Sequence, residues 1–282
     1  MTGAGGYIGR HVVHALTSRG VEVIALQRSG TAAGPRAQTL LNDFAALRTA
    51  DLQALGPIDT VIHLAWSDGF NHNAACHLDA LPHHVQFVRD VGLAGIRHFV
   101  GMGTMHEIGY WEGMIGETTP ALPRSMYGIA KNALREASRL ITEQDGSLFQ
   151  WLRSYYITGD DTRSKSLFAK ILQWEAEGRS SFPFNSGKSC YDFIDVSELA
   201  EQIAATALQR SVTGIIECCS GAPVALKDKV EQFIAEHQLA IRPEYGAFPE
   251  RAYDSPSVWG DSNKIRTIIA AKLSHSATAR DD

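Results

Sequence analysis

The first ten residues, Met1-Thr2-Gly3-Ala4-Gly5-Gly6-Tyr7-Ile8-Gly9-Arg10, decide how the rest of the chain is read. Glycines stand at positions 3, 6 and 9. That spacing suits a turn that is tight at its start, lets an anion approach backbone in its middle, and packs a helix on a strand at its end. The helix follows: Ile8, Val12, Val13 and Leu16 make one apolar stripe, and Gly20 stops it. Val21 to Leu26, apolar except at Glu22, then reads as a buried strand. A glycine turn opening a helix presents unpaired amides and a positive dipole end to phosphate. The order turn, helix, strand therefore predicts a doubly wound, parallel α/β sheet, with a dinucleotide pyrophosphate held at Gly3, Gly6, Tyr7, Ile8 and Gly9. A turn of this kind normally follows a buried strand in the middle of the sheet. That strand is missing ahead of Gly3, so the expectation is that the natural chain starts several apolar residues upstream of Met1.

Working outward, the second strand ends in Gln27-Arg28-Ser29. An acid here would bind the ribose hydroxyls of NAD, whereas an arginine can pair with the extra phosphate of NADP. Gln27 stands in the acid's place and Arg28 follows, so NADP is favoured and NAD stays open; Arg28 can also be read as a solvated strand-end charge. Asn42-Asp43-Phe44 falls where a strand end would touch an adenine ring, which makes Asp43 and Phe44 cofactor candidates. Asp59 to Trp66 is a further apolar strand, passing close to the cofactor at Leu64 and Ala65. His63 within it reads as a packed core residue. Ser67 to Asn73 is either a substrate loop at the carboxyl edge of the sheet or a plain surface loop.

The chemistry-bearing stretch is Ser125-Met126-Tyr127-Gly128-Ile129-Ala130-Lys131. Tyr127 and Lys131, four apart, share one helix face. An ammonium beside a phenol favours the phenolate, bringing a group that titrates at about 10 toward the working pH. The pair then serves as a proton donor and acceptor. Thr104, just past the strand Arg97 to Met102, can turn its hydroxyl to the same pocket, or can simply cap a turn. His106 is read as facing substrate, and Glu107 as a pocket or loop residue. A helix is expected from His77 to Leu93.

Composition narrows the class. A chain of 282 residues with a formal charge of −5 buries a full core and shows no block of like charge. It gives no support for a nucleic-acid groove or a membrane surface, and shows no signal peptide. Four cysteines (76, 190, 218 and 219) form no Cys-x-x-Cys pair and read as reduced thiols of a cytoplasmic protein; eleven scattered histidines match no metal spacing.

Taken together, Thr2 to Gly9, His63-Leu64-Ala65, Thr104 before Gly109, and Tyr127-Gly128-Ile129-Ala130-Lys131 resemble the extended short-chain dehydrogenase/reductases that act on nucleotide sugars. The likeness continues through Leu152 to Gly159, Tyr191 to Val196 and Arg251 to Asp254. It implies Thr104, Tyr127 and Lys131 as catalytic residues, with Lys131 also holding the nicotinamide ribose. His106, Tyr156, Lys188 and Arg251 are read as substrate contacts, Arg251 either gripping the diphosphate with its guanidinium fork or pairing with Asp254 at the surface. Dehydratases of this family carry Asp-Glu straight after the threonine. Met105 and His106 stand there in this chain, so dehydration is not expected. Tyr156 and Thr158 stand where many members have asparagine and tyrosine.

The second half is expected to return to the sheet and to build a smaller, interleaved C-terminal substrate lobe. The dinucleotide domain covers 1–160, with 190–221 returning to it. The lobe takes 161–189 and 222–273, and 274–282 is a tail. Within the lobe, Phe182, Phe184 and Lys188 could line a nucleotide site. The activity implied is reduction of a nucleoside-diphosphate 4-keto-6-deoxy sugar by a homodimer. Two other readings stay open: an epimerase that holds NAD tightly, and a non-catalytic NADP sensor.

Overall fold

The computed structural model describes residues 1–30, 36–159, 166–249 and 255–278, except the side chains of 272–278. A parallel sheet runs, in spatial order, through Gly214–Cys218, Leu148–Ser154, His98–Thr104 and Val61–His63, while Val23–Gln27 pairs with Ala37–Leu41. Met1 and Thr2 join the two halves. Thr2 bridges both Leu26 and His63 in parallel. Its amide donates to the Ile62 carbonyl at 2.9 Å, and Leu26 donates to the Met1 carbonyl at 2.8 Å. The slot expected for the first strand is therefore held at its carboxyl end by these two residues. Strand order reverses there, which puts the crevice for ligands directly beyond the glycine turn.

Central strands carry apolar side chains on both faces because helices cover both. On one face, Val100, Met102, Leu152 and Ile216 meet Val12, Val13 and Leu16 of the first helix, Gly9–Thr17, and Leu199 and Ile203 of Val196–Ala207. On the other, Val61, Phe99 and Trp151 meet Phe87, Val88 and Val91 of Leu81–Leu93, and Leu134 of Met126–Asp145. Gly101 makes room for Trp151, whose ring a Cβ would meet at 2.5 Å.

Three segments depart from expectation. The helix foreseen over 77–93 is two, Cys76–Asp79 and Leu81–Leu93, because Pro82 opens the second one and cannot continue the first. Asp43 is the N-cap of a short 3-10 turn, Phe44–Ala46, accepting from the Ala45 amide. The second half returns to the sheet, as expected, but the returning strand breaks at Tyr155. Leu148–Ser154 stays in the main sheet, and Tyr156–Thr158 pairs with Cys190–Asp195 in a second sheet. Around that second sheet lies a separate cluster that includes Phe168, Ile171, Phe182, Phe184, Tyr191, Phe193, Val230 and Phe233. Among the described residues no helix is long and apolar enough to cross a membrane.

Candidate active site

A cleft of about 760 Å³ lies along the carboxyl edge of the main sheet, between it and the second cluster. The glycine turn forms its floor. Gly3 has φ +69° and lies against the end of the neighbouring strand, where a Cβ would meet the Ala65 nitrogen at 2.7 Å. A Cβ on Gly9 would stand 2.0 Å from the Gly3 carbonyl oxygen. Only glycine fits either position. The helix that begins at Gly9 has no side-chain cap; its Arg10 and His11 amides donate to the Gly6 and Ile8 carbonyls, and its positive end faces the cleft. Gly6, Tyr7, Ile8, Leu64 and Ala65 line the same end, with Arg28, Asp43 and Phe44 at the far rim. Phe44 turns its ring inward, stacked on His84 at 4.5 Å and edge-on to His63 at 5.1 Å.

Gln27 is buried, and its side-chain carbonyl oxygen has no hydrogen-bond partner in the structure. A dinucleotide fits this half of the cleft on these observations. The glycine cradle and the positive end of the helix suit a pyrophosphate, and the orphaned carbonyl suits a ribose hydroxyl donor. Arg28 is exposed at the rim.

The proton-handling groups sit mid-cleft. Ser125 caps the helix Met126–Asp145 by accepting from the Gly128 amide at 3.1 Å, and the Tyr127 amide donates to the His72 carbonyl at 2.9 Å. The loop Ser67 to Asn73 therefore holds the start of the Tyr127 helix, and Gly69, Phe70 and His72 from it line the cleft. Gly128 lets the helix approach: a Cβ there would stand 2.3 Å from the His106 carbonyl oxygen. That approach brings the Tyr127 phenol close enough to the Thr104 hydroxyl to interact with it, both groups lining the cleft. Lys131 is buried, donates to the Met102 carbonyl at 2.7 Å, and lies 3.9 Å over the Trp66 ring.

The electrostatics differ from the sequence-based expectation. Burial raises the Tyr127 phenol above its ordinary value; the Thr104 hydrogen bond pulls it down and the Glu107 charge pushes it up further. The ammonium does not lower it, because Lys131 is turned to the Met102 carbonyl and the indole face. Burial takes Lys131 itself down to about 7, against the pull of Glu107. Tyr127 is thus a neutral proton donor at working pH, and the amine beside it titrates near neutrality.

His106 and Tyr156 line the other half of the cleft. The His106 ring is 4.3 Å from His72, which stacks on Tyr127 at 5.3 Å. Burial and His72 take His106 to about 3, so it is a neutral imidazole. Two expectations fail. Lys188 is exposed and away from the cleft, because the Asn185–Gly187 turn is pinned on the start of the helix Leu226–Glu236 through the Lys227 amide and Gly187 carbonyl. Phe182 and Phe184 are buried in the lobe cluster and present no stacking face. Arg251 lies outside the described residues. Sequence reading did not single out Trp66, Tyr191 and Phe193, all in the cleft wall, whereas Phe70 and His72 belong to the Ser67 to Asn73 loop. It also missed the role of Glu107, which turns away from the cleft. Among the described residues no cluster of His, Cys, Asp and Glu could hold a metal.

Comparison with known proteins agrees with this geometry. Residues 1–217 match the NAD dependent epimerase/dehydratase family. The chain is 43% identical over 265 residues to the dTDP-6-deoxy-L-talose 4-dehydrogenase (NAD(+)) of Aggregatibacter actinomycetemcomitans, covering 92% of this chain and 98% of that one. Two solved structures share the fold. One is the UDP-N-acetylglucosamine 4-epimerase of Methanobrevibacter ruminantium, in complex with UDP-N-acetylmuramic acid. It has TM-score 0.81 at 20% identity, over 95% of this chain and 90% of that one. The other is the UDP-glucose 4-epimerase of Thermus thermophilus in complex with NAD. It has TM-score 0.78 at 19% identity, over 94% and 91%. The chain belongs to the NAD dependent epimerase/dehydratase family.

Proposed function

We propose that this member of the epimerase/dehydratase family interconverts the 4-hydroxyl and the 4-ketone of a dTDP-linked 6-deoxy hexose, using NAD. The observation that carries the reading is that Thr104, Tyr127 and a buried Lys131, from a strand end and one face of a helix, line the same cleft. The 43% identical talose 4-dehydrogenase supports the choice of sugar and nucleotide. NAD supplies the hydride acceptor, or as NADH the donor; the pyrophosphate would lie on Gly3, Gly6 and Gly9, and a ribose hydroxyl on Gln27. Lys131 spends one N–H on Met102 and would hold the nicotinamide ribose with the others. In the reductive direction Thr104 orients the sugar carbonyl and Tyr127 protonates its oxygen. His106 and His72, both neutral, offer hydrogen bonds to sugar hydroxyls without adding charge. Dehydration lacks its acid and base: Met105 is buried in the lobe cluster and Glu107 is fully engaged in the core.

Purified protein mixed with NADH and dTDP-4-keto-6-deoxy hexoses is expected to consume absorbance at the reduced-nicotinamide band. No consumption with any of them, together with NAD retained through purification, would replace this reading with an epimerase. The orphaned Gln27 carbonyl favours NAD over NADP, so kcat/KM is expected to be higher with NADH than with NADPH. Arg28→Ala should alter only the NADPH value; a large loss with NADH would show that Arg28 acts on something other than a 2′-phosphate.

A further inference from the structure

Buried charge converges on the strand end that carries Thr104. Glu107 has no solvent exposure, and both its oxygens are engaged. Oε1 accepts from the Thr104 amide and from Trp151 Nε1, each at 2.9 Å. Oε2 accepts from Arg153 Nε at 3.2 Å and stands 3.4 Å from Arg135 Nε, an ion-pair contact. Arg153 also reaches Glu217 at 3.1 Å, and Glu217 accepts from the Tyr155 hydroxyl at 2.9 Å. Desolvating two carboxylates and two guanidiniums stabilises a fold no better than well-packed apolar groups of similar volume. Stability alone is therefore a weak reason for the cluster.

Position gives a stronger one. Thr104 and Glu107 cap the short turn Met105–Glu107 reciprocally. Arg135 lies one helical turn beyond Lys131. Gly103 is shaped to the cluster: a Cβ there would stand 2.1 Å from Trp151 Nε1 and 2.4 Å from Glu107 Oε1. We propose that Glu107 is a positioning residue for the redox reaction, tying the strand end that bears Thr104 to the helix that bears Tyr127 and Lys131. The inference rests on the reaction proposed above and adds to it the group that fixes its geometry. Through the Thr104 amide, Glu107 sets where the hydroxyl points; through Arg135, it sets where the helix lies. Its charge also opposes the effect of burial on Lys131 and keeps Tyr127 a neutral phenol, the form that can give a proton to a ketone oxygen.

Glu107→Gln keeps the shape and removes the charge. Its kcat is expected to fall by about 10²-fold, the scale of a misplacement near 1 Å. The sugar-nucleotide KM, and the NADH dissociation constant read by fluorescence titration, should stay within about threefold of wild type. Lys131 acts as the ammonium, so activity fails as pH rises through its pKa; without Glu107 that alkaline limb moves to lower pH. Unchanged kcat with an unmoved limb would overturn the proposal, as would a loss that follows only the melted fraction in a thermal scan. If Glu107→Gln does not fold, Arg135→Met is read instead. It releases the helix and leaves the carboxylate less compensated, so kcat falls and the limb moves to higher pH; an unmoved limb overturns the idea. If wild type turns over no sugar nucleotide, the substrate reading alone fails. Glu107 is then judged by hydrogen–deuterium exchange, which should be faster over residues 104–109 in Glu107→Gln; equal rates would overturn it.

Discussion

The two walls of the cleft are built by different means. The sheet-side wall is made of backbone: a glycine cradle too tight for any Cβ, an uncapped helix start, and a strand end at Thr104. The lobe-side wall is made of rings, with Tyr156 stacked on Tyr191 at 4.3 Å and Phe168 edge-on to Phe193 at 6.2 Å. Among the described residues the lysine and arginine lining the cleft, Lys131 and Arg28, both belong to the sheet side. On the proposed reading, backbone would hold what never varies in a cofactor, its pyrophosphate, and ring faces would meet area and shape, which differ from one sugar nucleotide to the next. Thr104, Tyr127 and Lys131 stand where the two walls meet.

Substitutions should separate the walls. The largest effect is expected at their meeting line. Tyr127→Phe removes the proton donor and should lower kcat by about 10³-fold, within the range of general acid catalysis, while NADH binding holds. Retained turnover would mean that another group moves the proton. Next comes the sheet side. Gly9→Ala forces a Cβ onto the Gly3 carbonyl. Overpacking of this kind costs about 1–3 kcal/mol, and NADH affinity should drop by roughly 10- to 100-fold. An unchanged NADH titration would remove the pyrophosphate from this turn.

A smaller loss is expected on the lobe side. Tyr156→Ala removes a stacked ring worth about 0.5–1.5 kcal/mol beyond its area, so the sugar-nucleotide KM should rise by up to about tenfold. NADH binding should not change, and a matching loss there would show the walls to be coupled. The smallest effect at working pH concerns the histidines between and beneath the walls. Burial takes His84 and His106 to about 3, against about 6.5 in an unfolded chain. Below about 6.5 the unfolded state therefore binds protons that the folded state refuses. Stability is full above that value and is lost as pH falls toward 3. Melting temperature measured from pH 8 to pH 4 should be flat at first and then decline. His106→Asn should soften the decline; a curve identical to wild type would place the acid lability elsewhere.

Much of the cofactor side was legible in the chain because its causes are local. Gly3, Gly6 and Gly9 report backbone that must turn and approach, and Tyr127 and Lys131 report one face of one helix. The lobe side was less legible. Phe182, Phe184 and Lys188 read as site residues from their polar, aromatic loop, yet two pack inward and the third points to solvent. Trp66 gave no signal beyond an apolar strand end, and His72 none beyond a loop. Their roles come from what folds against them: Lys131 in one case, the first turn of the Tyr127 helix in the other.

By itself, then, the sequence determined the doubly wound sheet, the glycine cradle and the placing of Tyr127 and Lys131 on one helix face, since each follows from residue spacing within a turn or a helix. Tertiary structure alone decided that Thr104 touches Tyr127, that Glu107 faces the core while His106 faces the cleft, and that burial outweighs the neighbouring ammonium at the phenol. Those outcomes depend on desolvation and on contacts between residues distant in the chain. Neither is written in any local pattern.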